Sequence, residues 1–337
     1  MKKIVTLGEI LLRLSAKVGV RLEQSDHLLV NYGGAEANVS ASLAHLGMDV
    51  YFVSKVPNNA VGRGVERHLK ANGVRTDYLI KNGDRLGTYY IEPGVGGRGT
   101  QVTYDRKHSS FSQMKLDEID FDAIFEGASL FHVTGITPAL STSLKEITTY
   151  SLRKAKEMGI LTSLDFNYRS KLWSQEDAAA TLKPLLPYVD VCSCGELDAL
   201  HILGIPEAAR DMNQSEKLDY YYKSIQAQYP NITYFCSTFR EVLSASTNTL
   251  QGNFYMEGEL HQSKIFHIDH MVDRVGGGDA FAAGILYGLL TDMSPEQVVS
   301  FATAASALKH TVYGDVNPFS KEEITAFAEQ KSGEVNR

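Results

Sequence analysis

Cysteine is scarce in this chain: Cys192, Cys194 and Cys236 are the three among 337 residues. An odd and sparse set excludes a disulfide framework and fits a reducing compartment. Cys192 and Cys194 stand two apart in an apolar, strand-like run, and no nearby His or Cys completes a zinc spacing. Buried structural thiols are therefore expected. No uninterrupted apolar run is long enough to cross a bilayer, and M-K-K-I-V-T-L-G-E enters a strand with no secretory signal ahead of it. A cytoplasmic protein with no membrane partner is the expectation. There is no basic block either: 33 Lys and Arg against 40 Asp and Glu leave a formal net charge of −7. That excludes general nucleic-acid binding, which needs a basic patch. It also means that an anionic substrate must be held by local arginines or lysines. Finally, G-x-x-x-x-G-K-[ST], G-x-S-x-G and H-E-x-x-H are all absent, as is a complete G-x-G-x-x-G at residues 276–284, where Phe281 replaces the last glycine.

What is present is alternation. Short runs rich in β-branched and aromatic residues (4–7, 50–53, 130–134, 161–166, 189–194 and 234–237) alternate with helical periodicity at 37–46, 62–71, 143–157, 279–290, 295–309 and 321–330. This order predicts an α/β fold with a mostly parallel central sheet and helices on both faces. Residues 12–32 and 86–111 break the pattern: both read as β structure, the second as two strands joined by a Gly-rich turn. We read them as a small β flap on a large unit of residues 1–11, 33–85 and 112–337.

The stretch D-R-V-G-G-G-D-A-F-A-A-G at 273–284 carries the strongest chemical signal. Three glycines ahead of a helix let backbone N–H groups converge on an anion at the positive end of the helix dipole. The plainer alternative is a loop in which Asp279 caps the helix. Ligands in open α/β sheets sit outside the carboxyl ends of the strands. Several polar groups fall there: Gly34 and Asn38 in G-G-A-E-A-N, Asn167 and Arg169 in D-F-N-Y-R, and residues 276–279. In the flap, Tyr104 and Arg106 are two apart and share a face; Tyr90, on the preceding strand, is expected to join them. Arg106 and Arg169 together could hold a carboxylate.

G-G-A-E-A-N-V-S-A-S-L-A-H-L-G and D-R-V-G-G-G-D-A-F-A-A-G, in this order and separation, resemble the two signatures of the ribokinase-like (PfkB) carbohydrate kinases. The resemblance covers essentially the whole chain, and the flap looks like that family's lid. V-T-Y-D-R, D-F-N-Y-R-S-K-L-W and A-L-K-H-T-V-Y-G-D-V-N resemble the branch that acts on 2-keto-3-deoxygluconate. The resemblance implies transfer of the ATP γ-phosphoryl group, with Mg²⁺, to the sugar acid's 6-hydroxyl. By the same resemblance, Asp279 is the catalytic base and the amides of Gly276, Gly277 and Gly278 form the anion hole. Gly34, Tyr90, Tyr104, Arg106, Arg169 and Asp315 hold the sugar acid, and Asn38 faces it. Glu196 positions metal-bound water, and Ser193 and Thr238 lie on the nucleotide side.

Asp279 is expected to be ionised at neutral pH, with the amides favouring that form further. Three positions depart from the family pattern. Ser193 replaces an Asn. Gly277 replaces a more usual Ala. Residues 237–242, S-T-F-R-E-V, stand where a Gly-containing nucleotide loop is expected. The alternatives are a related sugar kinase, such as a fructokinase or a deoxy-keto-gluconate kinase with a different hydroxylation pattern, and a catalytically weak sugar-acid sensor. The exposed edges of a β flap also predict a homodimer or an assembly of dimers.

Overall fold

The structure, a computed structural model, describes residues 2–329. Ten strands among them form one large sheet. Its order from one edge is Glu259–Gln262, Asn248–Met256, Tyr234–Val242, Val191–Ser193, Leu161–Asp165, Ala128–Thr134, Lys3–Leu7, Asp49–Val56 and Leu79–Lys81, with Phe266–Ile268 paired to Asn248–Met256. From Tyr234–Val242 to Leu79–Lys81 every pairing is parallel. Neighbouring residues of these strands enter opposite cores. Val5, Leu7, Phe131 and Leu164 belong to one apolar cluster, while Ile4 and Leu130 belong to another with Phe281, Ile285 and Phe301. A parallel sheet needs both faces covered. Helices Thr142–Glu157 and Gln214–Gln228 supply side chains to the first cluster, and Ala35–His45, Gly277–Leu290 and Pro295–Lys309 to the second.

The predicted mostly parallel sheet with helices on both faces is thus present, and one edge differs from expectation. Tyr234–Val242 runs past the predicted end at 237 and returns as the antiparallel strand Asn248–Met256. Residues 237–242, expected as a nucleotide loop, are therefore strand. They contain no glycine that would bend the chain, and the reversal falls at 243–247 instead. A further turn at Glu257 and Gly258, with φ of 54° and 88°, adds Glu259–Gln262. The final predicted helix is found as Lys321–Glu329; its expected last residue, Gln330, lies outside the described residues.

A separate four-stranded sheet has the order Leu29–Gly33, Leu11–Ser15, Thr88–Glu92, Gln101–Asp105. Its central pairing, Leu11–Ser15 with Thr88–Glu92, is parallel, so these two stretches, remote in sequence, meet through a crossover rather than a hairpin. Leu29, Val30 and Tyr104 on this sheet are exposed. All three cysteines are free and buried, as expected. Among the described residues no helix is long and apolar enough to cross a membrane.

Candidate active site

A cavity of about 900 Å³ opens at the carboxyl ends of the parallel strands and is walled on one side by the small sheet. Every expected site residue except Tyr90 lines it. Its floor is the start of helix Gly277–Leu290. Gly276, just ahead, has φ of 85°, and a Cβ there would lie 1.9 Å from the Asp315 carbonyl oxygen. Only glycine fits both constraints. No side chain caps this helix, so its leading amides have no intrahelical acceptor and are left for a ligand. Asp279 is not the cap. It sits within the helix's first turn, and its Oδ2 accepts from Asn38 Nδ2 at 2.7 Å.

Asn38 is itself fixed at the start of helix Ala35–His45, where its Oδ1 accepts from the Gly34 amide at 3.3 Å. Gly34 packs so closely on the first strand's exit that a Cβ would stand 2.0 Å from the Glu9 carbonyl oxygen. Asn38, expected to face the sugar, lines the cavity and also holds the acid. The same helix is anchored by Glu36. Its buried carboxyl accepts from the Thr134 amide and from the hydroxyls of Thr134 and Thr137, and burial raises its pKa to about 7.

Burial also raises the Asp279 pKa to about 6, against the opposing pull of Asn38 and Arg169. Desolvation therefore outweighs the partners that favour the ionised form, and at about 6 the carboxyl is still mainly ionised at neutral pH, as expected. Asp165, at the end of its strand, is raised to about 7, first by burial and then by the charge of Asp279. Asp165 also shapes the next turn. Its two oxygens accept from the Asn167 amide at 3.0 Å and Nδ2 at 3.1 Å, holding Asn167 at φ 43°. The buried Oδ1 of Asn167 is left without a donor. Arg169 follows; it donates to the Tyr168 carbonyl at 3.0 Å and forms no ion pair among the described residues.

On the small sheet, register decides which tyrosine faces the cavity. Tyr104 lies directly opposite Tyr89, not Tyr90, and their rings stack at 5.9 Å. Tyr90 is opposite Thr103 and points to the other face, because a shift of one residue in a strand reverses the side. Arg106 is held by Glu9, which accepts from its Nε at 2.8 Å and from Nη2; the other Glu9 oxygen accepts from the Ser109 hydroxyl.

Asp315 is tied up from behind. One oxygen takes Arg13 Nη1 at 2.5 Å and the other takes the Tyr89 hydroxyl. Arg13 also reaches Asp273 at 2.5 Å. Asp273 in turn accepts from the amides of Val275 and Gly314, each at 3.1 Å. Lys309, fully buried, makes the group a quartet of two basic and two acidic side chains: it lies within the influence of both carboxylates without an ion pair to either, and donates to the Val312 carbonyl at 3.4 Å. On the remaining wall, Ser193, Glu196 and Thr238 line the cavity. Among the described residues no group of three or more His, Cys, Asp or Glu is arranged to hold a metal ion.

Glu9, Arg13 and Tyr89 carry structural or chemical weight outside the sequence motifs, while Asp165, Asp273 and Lys309 stand within the quoted motifs and had no role assigned. Glu9 had a usable signal, since it follows a predicted strand at its carboxyl end. Arg13 and Lys309 had none, because their partners lie far along the chain.

Comparison with known proteins finds relatives along nearly the whole chain. The model of the pfkB family carbohydrate kinases matches residues 1–322. The chain is 33% identical over 322 residues to 2-dehydro-3-deoxygalactonokinase of Haloferax volcanii, covering 96% of this chain and 95% of that protein. It is 30% identical to 2-dehydro-3-deoxygluconokinase of Bacillus subtilis, covering 96% and 94% respectively. Among solved structures, 2-dehydro-3-deoxygluconokinase of Thermotoga maritima superposes with a TM-score of 0.94 at 41% identity, over 98% of this chain and all of that one.

Proposed function

The chain belongs to the pfkB family of carbohydrate kinases, and within that family we propose that it transfers the γ-phosphoryl group of ATP to the 6-hydroxyl of 2-keto-3-deoxygluconate. The observation that carries this reading is the single cavity itself. It combines a carboxylate at an uncapped, glycine-lined helix start with two arginines, Arg106 and Arg169, able to meet a sugar acid's carboxylate.

The chemistry follows from the residues. Asp279 accepts the proton of the 6-hydroxyl while that oxygen bonds to the γ-phosphorus and the bond to the β,γ-bridging oxygen breaks, releasing ADP. The amides of residues 276–278 take up charge on the phosphoryl oxygens without having to reorganise. Asn38 keeps the receiving oxygen of Asp279 aimed, which is where most of the protein's contribution to phosphoryl transfer lies. The orphaned Oδ1 of Asn167 suits a sugar hydroxyl. Tyr89 and Tyr104 form a stacked wall for the sugar ring, and Asp315, engaged by Arg13, supports that wall rather than gripping the sugar with a free carboxylate.

The small sheet, residues 12–32 and 86–111, acts as a lid that keeps water from competing for the phosphoryl group. Mg²⁺ would neutralise charge on the nucleotide phosphates; with no three-ligand protein cage among the described residues, it fits as an ion carried mainly by phosphate and water, with Glu196 holding one of those waters.

Steady-state kinetics with 2-keto-3-deoxygluconate, its galacto epimer and fructose test the assignment. Arg106→Ala and Arg169→Ala are each expected to raise KM for the sugar acid about 10–100-fold, the loss of one charge-assisted hydrogen-bonded contact, with KM for ATP unchanged. Turnover of fructose as fast as of either sugar acid, with both alanine variants kinetically normal, would show that no carboxylate is recognised and that the chain is a neutral-sugar kinase.

A further inference from the structure

Residues 237–242 contain no glycine, and their backbone is extended. They pair with residues 253–248 in an antiparallel ladder. Successive amides of a strand point in opposite directions, so this segment cannot bring them together on one anion as a glycine-rich loop does. What it supplies instead is the side chain of Arg240, which lines the cavity with Arg274, the arginine of D-R-V-G-G-G-D.

These two arginines are placed unlike structural ones. Among the described residues neither forms an ion pair with a carboxylate. Arg274 donates one Nη2 hydrogen bond, to Asn248 Oδ1 at 3.2 Å, while its Nε is buried and has no acceptor. Asn248 Nδ2 and His310 Nε2, in the same neighbourhood, are also buried without partners. His310 lies against Gly277, where a Cβ would stand 2.5 Å from its Cε1, and it senses the charge of both arginines. The pair thus sits close to the anion-hole glycines. Arg240 is exposed at the cavity mouth and Arg274 is half-buried behind it. Two like charges beside several buried, orphaned polar atoms repel one another unless an anion joins them.

We propose that Arg240 and Arg274 form a two-pronged clamp for the α- and β-phosphates of the nucleotide, supplying from side chains the donors that a glycine-rich loop would supply from backbone; this rests on the kinase function proposed above. The guanidinium fork matches the spacing of phosphate oxygens. It also answers a requirement of charge. A chain of net charge −7 must concentrate local cations to hold a polyphosphate, and Arg106 and Arg169 are assigned to the sugar acid.

Calorimetric titration with ADP tests the clamp directly. The parent protein is expected to bind ADP, and Arg240→Ala and Arg274→Ala each to weaken it about 10–100-fold, as for loss of a charge-assisted contact. KM for the sugar acid should not move. A second readout separates a ligand clamp from a structural role. Removing one of two repelling cations should leave the thermal midpoint of the nucleotide-free protein unchanged or raised, and Arg240→Lys should recover part of the affinity. Alanine variants that bind ADP as tightly as the parent would overturn the clamp and leave the kinase function standing. So would weakened binding that is accompanied by a lowered midpoint and not repaired by Arg240→Lys. A parent protein that binds no ADP would overturn the kinase function and the clamp together.

Discussion

Asp279→Asn is expected to lower kcat roughly 10²–10⁴-fold, the range contributed by a positioned general base, with little change in the affinity for ADP or in the thermal midpoint. The asparagine oxygen can still accept from Asn38 Nδ2, which now bonds Asp279 Oδ2 at 2.7 Å, so the local fold keeps its contact. What disappears is the capacity to take a proton. The pH dependence gives a second signature. With the Asp279 pKa raised to about 6 by burial, and the acting form being the ionised one, kcat/KM of the parent should be full above that value. It should then fall as pH drops through it. The neighbouring Asp165, raised to about 7 by burial and by the charge of Asp279, couples to this titration, so the acid limb belongs to the pair and is broader than one group gives. The residual activity of Asp279→Asn should lack that limb. A variant as fast as the parent, or one with an unchanged acid limb, would remove Asp279 from the chemistry.

Arg13→Met has the largest expected effect on stability. Arg13 is 3% exposed and joins Asp273 to Asp315, with contacts of 2.5 Å to each. Burial works against its charge, but the charges of Asp315 and Asp273 more than offset that and raise its pKa. Methionine fills similar space yet leaves two buried carboxylates with Lys309 alone to balance them. Breaking a buried ion pair from one side costs about 3–5 kcal/mol. With an unfolding entropy of about 2 cal/mol/K per residue, this amounts to a fall in thermal midpoint of roughly 4–7 °C. The consequence extends to the site. Asp273 bonds the Val275 amide, and the Asp315 carbonyl packs against Gly276, so loosening the quartet should also slow turnover. A thermal midpoint within about 1 °C of the parent, well below the shift expected for a broken buried pair, would mean that the quartet is not the fastening that its geometry implies.

The fold was largely readable because its signals are local. Short runs rich in β-branched and aromatic residues, alternating with helical stretches, give the order of elements, and a parallel sheet with two covered faces follows from that order. The site was readable where glycine and charge cluster within a few residues, as at 33–38, 165–169 and 273–279. It was unreadable where long-range register or packing decides. Tyr89 rather than Tyr90 faces the cavity because the pairing of Thr88–Glu92 with Gln101–Asp105 sets Tyr89 opposite Tyr104, and nothing within either strand fixes that alignment. Arg13 looks like any polar residue of an alternating strand until residues 273 and 315 close over it. The extension of Tyr234–Val242 was hidden for a different reason: S-T-F-R-E-V was read by its place between signatures rather than by its own alternation. Asp279 is ionised at neutral pH as the sequence predicts, but the rise of its pKa to about 6 could not be read there, because dipole and amides are visible in sequence whereas desolvation is a property of the closed cavity.

The central claim is that this cavity moves a phosphoryl group onto a sugar acid. Its most direct test is the ³¹P spectrum of the purified protein incubated with ATP, Mg²⁺ and 2-keto-3-deoxygluconate. The account predicts loss of the γ-phosphate signal in step with the growth of one phosphomonoester resonance coupled to the protons on C6. ATP that stays intact, or that yields only inorganic phosphate, would contradict it.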